Sequence, residues 1–463
     1  MLVLAALAAA APACGRTPDL DPLLPPTSAP PTELLPVFTQ TVNNDIDIVF
    51  MIDNSRSMQE EQANLRRNFP VFTAALKNLP QGLPNVHIGV VSSNLGSGRA
   101  NARGCMGDGD GGRFQSEPRA QGGSCAGPRG KYIIAVGPNH NFDGDVDQAF
   151  ACIAELGTSG CGFEQPLASL RQALDPDEAP PENEGFLREE AVLALILLTD
   201  EDDCSVPPDS DLLVTSSSDP RGPLSSFRCA EFGHICGDSR PPRTPAGPLT
   251  DCRSAEDGVL LNVSELAEFF KTLKADPNDV MVAAIAGPPT PYTIRLGQEG
   301  TGSGSRLVPL LAPSCTSANG SATPAVRVNE FADAFGLNGN FFSICADDFT
   351  PVMARIGDEV ARRANLECLV GRAADVDGAA PGLQPHCQVF DETRTSAGTV
   401  RTLIPACDEG RGAPCWRIET AAKCAPSEQR MLVDRAGTVP PPSTRIRVIC
   451  ETCEKPGDRR CDP

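Results

Sequence analysis

Two short stretches carry side chains that together suit a hard metal ion. Asp53-Asn54-Ser55-Arg56-Ser57 sets a carboxylate and two hydroxyls at alternate positions, and Thr199-Asp200 ends the most apolar run of the chain. Two carboxylates and two hydroxyls form an all-oxygen donor set, which fits a hard divalent cation and offers nothing to a soft one. Alone, the D-x-S-x-S spacing is a weak signal. Its surroundings strengthen it. DIDIVFMI at 45–52 precedes it as a short, nearly continuous apolar run, the pattern of a strand covered on both faces. After it, Leu65, Phe69, Phe72, Leu76 and Leu79 line one face of a helix. Pro70 lies within that helix and is expected to kink or break it. AVLALILLTD at 191–200 is a second buried strand. In open α/β sheets ligands bind beyond the carboxyl ends of the strands, so two such ends bring Asp53 and Asp200 to one edge.

The remaining elements alternate in the same way. VHIGVVSS at 86–93, YIIAV at 132–136 and DVMVAAIAG at 279–287 read as strands. Helical patterns cover Asp145–Leu156, a segment opened by Pro166 and running to Leu174, residues 263–274 with Asn262 and Glu265 as a capping box, and Asp348–Arg363. This alternation predicts an α/β fold with a mostly parallel sheet flanked by helices.

IDIVFMIDNSRSM and LILLTD resemble the first strand, metal-site motif and late acidic strand of a von Willebrand factor type A (VWA) domain, as in bacterial envelope VWA lipoproteins. The resemblance covers roughly residues 44–363. It implies a Rossmann-like fold and a metal-ion-dependent adhesion site (MIDAS). Asp53, Ser55 and Ser57 would be motif ligands, and Asp200 would ligate directly or through water. A middle-loop Thr would complete the set; Thr158 in Gly157-Thr158-Ser159-Gly160 is the candidate, with Ser159 as competitor. The implied cofactor is a divalent cation, Mg²⁺ first, Mn²⁺ or Ca²⁺ otherwise. The implied partner is a protein or an envelope or matrix ligand whose acidic group replaces a metal-bound water. The family often has Gly after the late Asp; here Glu201 follows, then Asp202 and Asp203, a pair that could hold a second ion and is read in preference as a solvated acidic loop.

Cysteine usage points to an oxidising compartment, with 19 Cys in 463 residues. Residues 1–14 read as a signal peptide ending in a lipobox-like Cys14, the expected lipidation site. Residues 15–42 read as a Pro-rich tether. The VWA-like domain is assigned to 43–363, with insertions at about 97–130, 201–258 and 288–345, and a cysteine-rich β module to 364–463. The 18 other Cys fall into even groups within 105–125, 152–161, 204–252, 315–345 and 368–461. Nine disulfides closed within those groups, and a tail that folds by itself, are the expectation. The expectation from these features is an exported outer-membrane lipoprotein, periplasmic or surface-facing, with the lipid as its membrane contact.

Other readings weaken on inspection. A net charge of −21 lacks the basic footprint of a nucleic-acid binder. Asp143, Asp145 and Asp147 imitate an EF-hand start, but Gln148 stands where Gly is needed and Ala154 where Glu is. Cys450-Glu451-Thr452-Cys453 suits disulfides better than zinc in such a module. No His-Glu-x-x-His or Gly-x-Ser-x-Gly occurs, and the four His are scattered. The leading expectation is a non-enzymatic, metal-dependent binding protein. The alternatives are a structural lipoprotein without metal and, less favoured, a metal-dependent envelope hydrolase.

Overall fold

The computed structural model describes residues 37–452, apart from 44, 80–81, 101, 103, 118–124, 215–220, 222–225, 300–305, 364–367, 370, 377–381, 396–397, 408–411, 422–423, 425–426, 437, 439 and 442–443. The signal and lipidation readings at 1–14 and the tether at 15–36 lie outside the described residues.

Strands β1 (Val37–Asn43), β2 (Asp45–Ile52), β3 (Asn85–Ser92), β4 (Ile133–Val136), β5 (Asn139–His140), β6 (Val192–Leu198), β7 (Val280–Ala286) and β8 (Gly339–Ser343) lead the chain order of the main framework. Seven of them form one sheet in the order β8-β7-β6-β2-β3-β4-β5. The pairings from β8 through β3 are parallel; β4 and β5 are added antiparallel at one edge. β2, β6 and β7 are buried along their whole length, as the apolar runs of β6 and β7 and the nearly continuous one of β2 require.

Helices cover both faces. On one side α1 (Gln59–Lys77), α2 (Val146–Ile153) and α6 (Thr350–Arg363) pack Leu65, Phe69, Phe72, Phe150, Met353 and Ile356 against Ile48, Phe50 and Ile196. On the other, α3 (Pro166–Leu174), α4 (Val263–Thr272) and α5 (Val326–Asp333) pack Leu170, Phe270 and Phe331 against Met51, Leu195 and Val282. The two faces separate because successive strand side chains point opposite ways.

Three details differ from expectation. α1 runs unbroken through Pro70, held by the buried stripe on either side of it. Asn262 makes no capping bond; Glu256 instead takes the N–H groups of Val263 and Ser264, at 3.0 and 3.2 Å, and Asn262 bonds Glu265. The segment 288–345 is only in part an insertion, because α5 and β8 belong to the main framework.

The C-terminal module contains β9 (Cys387–Thr395), β10 (Gly398–Ile404), β11 (Cys415–Thr420), β12 (Gln429–Asp434) and β13 (Thr444–Glu451). Its main sheet has the order β1-β13-β9-β10. Residues 37–42, expected to end the tether, thus form with residue 43 a module strand antiparallel to β13. The module is therefore built from both sides of the VWA-like domain and is not closed within 364–463. A fragment of 364–463 would leave β13 as an open edge, a template for association. It should aggregate or melt lower than a version carrying 37–43 through a linker, as light scattering and circular dichroism would read; equal behaviour would contradict the role given to β1.

The module rests on the far end of the main sheet. Arg394 pairs with Glu189 at 2.8 Å and with Glu190, and Arg445 pairs with Glu190 at 2.7 Å and Asp279 at 3.6 Å. Glu190 lies two residues before β6, and Asp279 immediately precedes β7. The module therefore meets the amino ends of the parallel strands, opposite the edge where Asp53 and Asp200 lie.

Eight disulfides are present among the described residues. Cys204–Cys229, Cys236–Cys252, Cys315–Cys345, Cys368–Cys424, Cys387–Cys450 and Cys407–Cys415 close within their groups, as expected. The first two groups do not: the bonds are Cys105–Cys161 and Cys125–Cys152. Even counts in two groups are equally satisfied by crossing between them, and here the 97–130 segment is laid over α2 and the loop after it. Cys453 and Cys461 lie outside the described residues. This many disulfides places the chain in an oxidising environment. No described helix is long and apolar enough to cross a membrane.

Candidate metal centre

β2 ends at Ile52 and α1 begins at Gln59, so Asp53–Ser57 form the turn between a buried strand and a helix. The Asp53 backbone N–H donates to Leu198 O of the neighbouring β6 at 2.9 Å, which fixes the start of that turn beside Thr199 and Asp200. Asp53 is fully buried. Its Oδ1 accepts from Ser55 N–H at 2.8 Å and Ser93 Oγ at 3.0 Å; its Oδ2 accepts from Thr199 Oγ1 at 2.9 Å. Ser55 Oγ and Ser57 Oγ are 3.3 Å apart. Asp53, Ser55 and Ser57 thus form one turn at the carboxyl end of β2, and Asp200 follows Thr199, the Asp53 donor, at the carboxyl end of β6. Ser57 is exposed while Ser55 and Asp200 are buried, so the group opens to solvent on one side.

Thr158 lies to one side of that group. Its loop is strapped to the turn: Gly160 N–H donates to Asn54 O at 2.8 Å, and Gln62 Nε2 donates to both Asp53 O and Gly157 O, at 2.8 and 2.9 Å. A Cβ on Gly160 would sit 2.1 Å from Asn54 Oδ1, so only glycine permits this approach. Thr158 and Ser159 line a cleft of about 540 Å³ together with Asn54, Gln62, Arg66 and Asn94. No hydrogen bond joins Thr158 to Asp53, Ser55, Ser57 or Asp200.

The fold is VWA-like. Its parallel core, its helices on both faces and the position of the D-x-S-x-S turn are those the resemblance implies. No protein-family model matches the chain, and no curated protein does. Among solved structures the chain is similar to a von Willebrand factor type A protein from Catenulispora acidiphila, at 11% identity and TM-score 0.29, covering 92% of this chain and 66% of that one. It is also similar to proximal thread matrix protein 1 of the mussel byssus, at 11% identity and TM-score 0.26, covering 71% and 48%. A third is the pilus adhesin RrgA of Streptococcus pneumoniae, at 10% identity and TM-score 0.26, covering 90% and 58%. The chain therefore spans about half to two thirds of those proteins.

The donor chemistry of this VWA-like edge fits a hard cation. Asp200 Oδ1 is buried with no hydrogen-bond partner. Burial, then the Asp53 carboxylate, then Glu201, push Asp200 up to about 8. Burial also raises Asp53, against its three hydrogen bonds. Among the described residues no three His, Cys, Asp or Glu converge as a metal cluster; the set here relies on two carboxylates with hydroxyls.

Further carboxylates face the same edge. Glu164, just before α3, is 2% exposed and has Oε1 buried without a partner. Burial, followed by the charges of Glu201 and Asp53, raises Glu164 well above its ordinary range. Burial and Asp53 raise Glu201 to about 7. Burial, then Glu60 and Asp53, raise Glu61 to about 7. Glu201 was visible in the sequence as a departure from the family pattern. Glu164 was not singled out, because nothing local marks Phe163-Glu164-Gln165 as facing Asp53.

A pH dependence follows. These carboxyls hold protons in the folded chain at pH values where the unfolded chain has lost them. Such groups stabilise the fold fully below their unfolded values near 4, and that contribution is lost as pH rises through about 7 to 8. With divalent cations chelated, the protein should melt at a lower temperature at pH 9 than at pH 6. An equal or higher melting temperature at pH 9 would contradict the raised carboxyls.

Asp202 and Asp203 do not form the solvated loop expected of them. Asp202 Oδ2 lies 2.6 Å from His234 Nε2, and Asp202 Oδ1 accepts the N–H groups of Arg327 and Val328, both at 3.1 Å, at the start of α5. Asp203 accepts Leu167 N–H at 3.1 Å, at the start of α3, and pairs with Arg327 at 3.0 Å. Two negative side chains thus sit at two helix amino ends, where the helix dipole favours them. Their partners His234 and Arg327 are distant in sequence, so the run Glu201-Asp202-Asp203 looked solvated.

Proposed function

We propose that this chain is an exported bacterial envelope protein, held by lipid on Cys14, whose VWA-like domain binds a protein or other envelope or matrix ligand through a divalent cation. Asp53, Ser55, Ser57 and Asp200 would hold the cation, with Thr158 the candidate from the middle loop. When bound, the cation supplies a coordination position that an acidic group of the partner can take. Asp53 is oriented by Ser55, Ser93 and Thr199, so the donor set is positioned by the fold. The observation that carries this reading is the buried, unpartnered Oδ1 of Asp200 beside Ser57 and Asp53. The reading is one of binding.

The placement of the module supports display. It meets the amino ends of the strands, and β1 brings the chain in from the tether at that same end. The candidate cation edge then points away from the anchor. The test is capture of envelope components by the purified full chain in Mg²⁺ or Ca²⁺ against EDTA. Chelator-sensitive capture that Asp53→Ala abolishes is the expected result. Capture indifferent to both would refute metal-dependent binding.

A further inference from the structure

The segment that carries Thr158 is held at both ends by one other stretch of chain. Cys152, in the last turn of α2, bonds Cys125, and Cys161, directly after Gly160, bonds Cys105. Residues 153–160 therefore lie between two disulfides that both lead into the 97–130 insertion. Cys105, Cys152 and Cys161 are buried. The strands of the main sheet and the helices α1 and α3–α6 contain no cysteine. The two bonds thus act on the loops at the carboxyl edge and on the end of α2, not within the parallel framework. Fixing both ends of a short segment removes many of the conformations open to it.

The insertion also reaches the D-x-S-x-S turn itself. Asp110 N–H donates to Asn94 O at 2.8 Å, and Asp110 Oδ2 accepts Ser92 Oγ at 2.6 Å and Asn54 Nδ2 at 3.4 Å. Ser92 ends β3, and Asn54 directly follows Asp53. Asn54 is buried, and its carbonyl accepts the N–H of Gly160, the residue before Cys161. Asn54 is thus gripped twice, by Asp110 on its side chain and by Gly160 on its backbone. The insertion is itself well tied. Ser97 Oγ donates to Cys105 O at 2.6 Å and accepts Ala102 N–H at 2.8 Å, and the N–H groups of Ser97 and Gly98 both donate to Gly107 O, at 3.1 and 2.9 Å. The held segment supplies residues 155–159 to the lining of the 540 Å³ cleft.

We infer that the insertion is the positioning element of this edge: through Cys105–Cys161, Cys125–Cys152 and Asp110 it sets Thr158 and the 155–159 wall of the cleft against the Asp53 turn. Asp110, Cys105 and Cys161 are positioning residues, acting through Asn54 and Gly160. The consequence for cation binding rests on the metal reading above; the hold on the segment does not.

The test uses the purified full chain and three variants: Cys105→Ser together with Cys161→Ser, Asp110→Ala, and Asp110→Asn. Hydrogen exchange in EDTA reads the hold directly. The paired serine variant should exchange residues 154–161 faster by roughly tenfold or more, with β2 and β6 as protected as in wild type, which also reports that the framework is folded. Asp110→Ala should speed exchange at Gly160, and Asp110→Asn should restore it, because the amide keeps an oxygen for Ser92 and Asn54. Calorimetric titration with Mg²⁺ alone reads the consequence. The paired serine variant and Asp110→Ala should bind roughly tenfold more weakly, as when groups that orient a metal's ligands are removed, and Asp110→Asn should bind like wild type. Unchanged exchange over 154–161 in the paired serine variant would overturn the inference whether or not metal binds. Faster exchange with Mg²⁺ affinity equal to wild type would overturn the link between the segment and the site. If wild type binds no Mg²⁺, the metal reading falls and the exchange result alone decides the inference.

Discussion

Arg327→Met should destabilise the protein by about 3–5 kcal/mol, the cost of leaving a buried charge without its partner. Arg327 is fully buried at the start of α5. Its guanidinium donates to Asp203 Oδ2 at 3.0 Å, Ser254 Oγ at 2.9 Å and Leu261 O at 2.6 Å. Methionine can fill much of the space but satisfies none of these acceptors. Asp203 would keep Leu167 N–H and Ser205, yet lose its counter-charge. Denaturant unfolding should show the loss as a shifted midpoint with little change in slope. Adding Asp203→Asn should recover part of it, because the orphaned charge is then gone. A loss below about 1 kcal/mol, the worth of an exposed pair, would mean that this network is wet in solution.

The same network explains why the acidic run after Asp200 is not spare ligand capacity. Burial alone would raise Asp202, but His234 and Arg327 together hold it below its ordinary value. A carboxylate lowered on folding contributes stability above its unfolded value that is lost as pH falls through the folded one. Asp202 therefore works against acid unfolding, while the carboxyls around Asp200 work against alkaline stability.

What the sequence made legible was whatever is periodic or local. β2, β6 and β7 stood out because a strand covered on both faces must be mostly apolar. α3 was bounded correctly by Pro166 and Leu174, since proline suits a first helical turn. The D-x-S-x-S turn and Asp200 were placed by the rule that strand carboxyl ends gather ligands. What escaped was through-space pairing. Cysteine parity could not tell Cys105–Cys161 from Cys105–Cys125. β1 alternates too weakly, among prolines, to announce that it pairs with β13. Glu164 is one glutamate among many until the fold sets it against Glu201. Arg327 and His234 show the same limit, since each answers a carboxylate far away in the chain.

Asp53→Ala should abolish the response of the protein to divalent cations while leaving the fold in place. In wild type a saturating cation should raise stability by RT ln(1 + [L]/Kd), about 2.7 kcal/mol at a hundredfold excess over the dissociation constant. The variant removes one of the two motif carboxylates and leaves Ser55 N–H, Ser93 and Thr199 without their acceptor. Each buried donor so left costs about 1–3 kcal/mol. Against that stands relief of repulsion: burial is what chiefly raises Asp200, Glu201 and Glu61, and the Asp53 charge adds to each. Thr199 can turn its hydroxyl to Glu201 O, 3.0 Å away, which limits the loss further. Asp200→Ala should weaken the cation response as well. Asp202→Ala is the control that separates folding from binding, because its partners are His234 and α5: it should lower the melting temperature equally with and without cation. The decisive comparison is the shift in melting temperature between Ca²⁺ or Mg²⁺ and EDTA, measured for all four proteins. A cation shift in Asp53→Ala as large as in wild type would remove the metal from this edge of the sheet, and with it the case for metal-dependent adhesion.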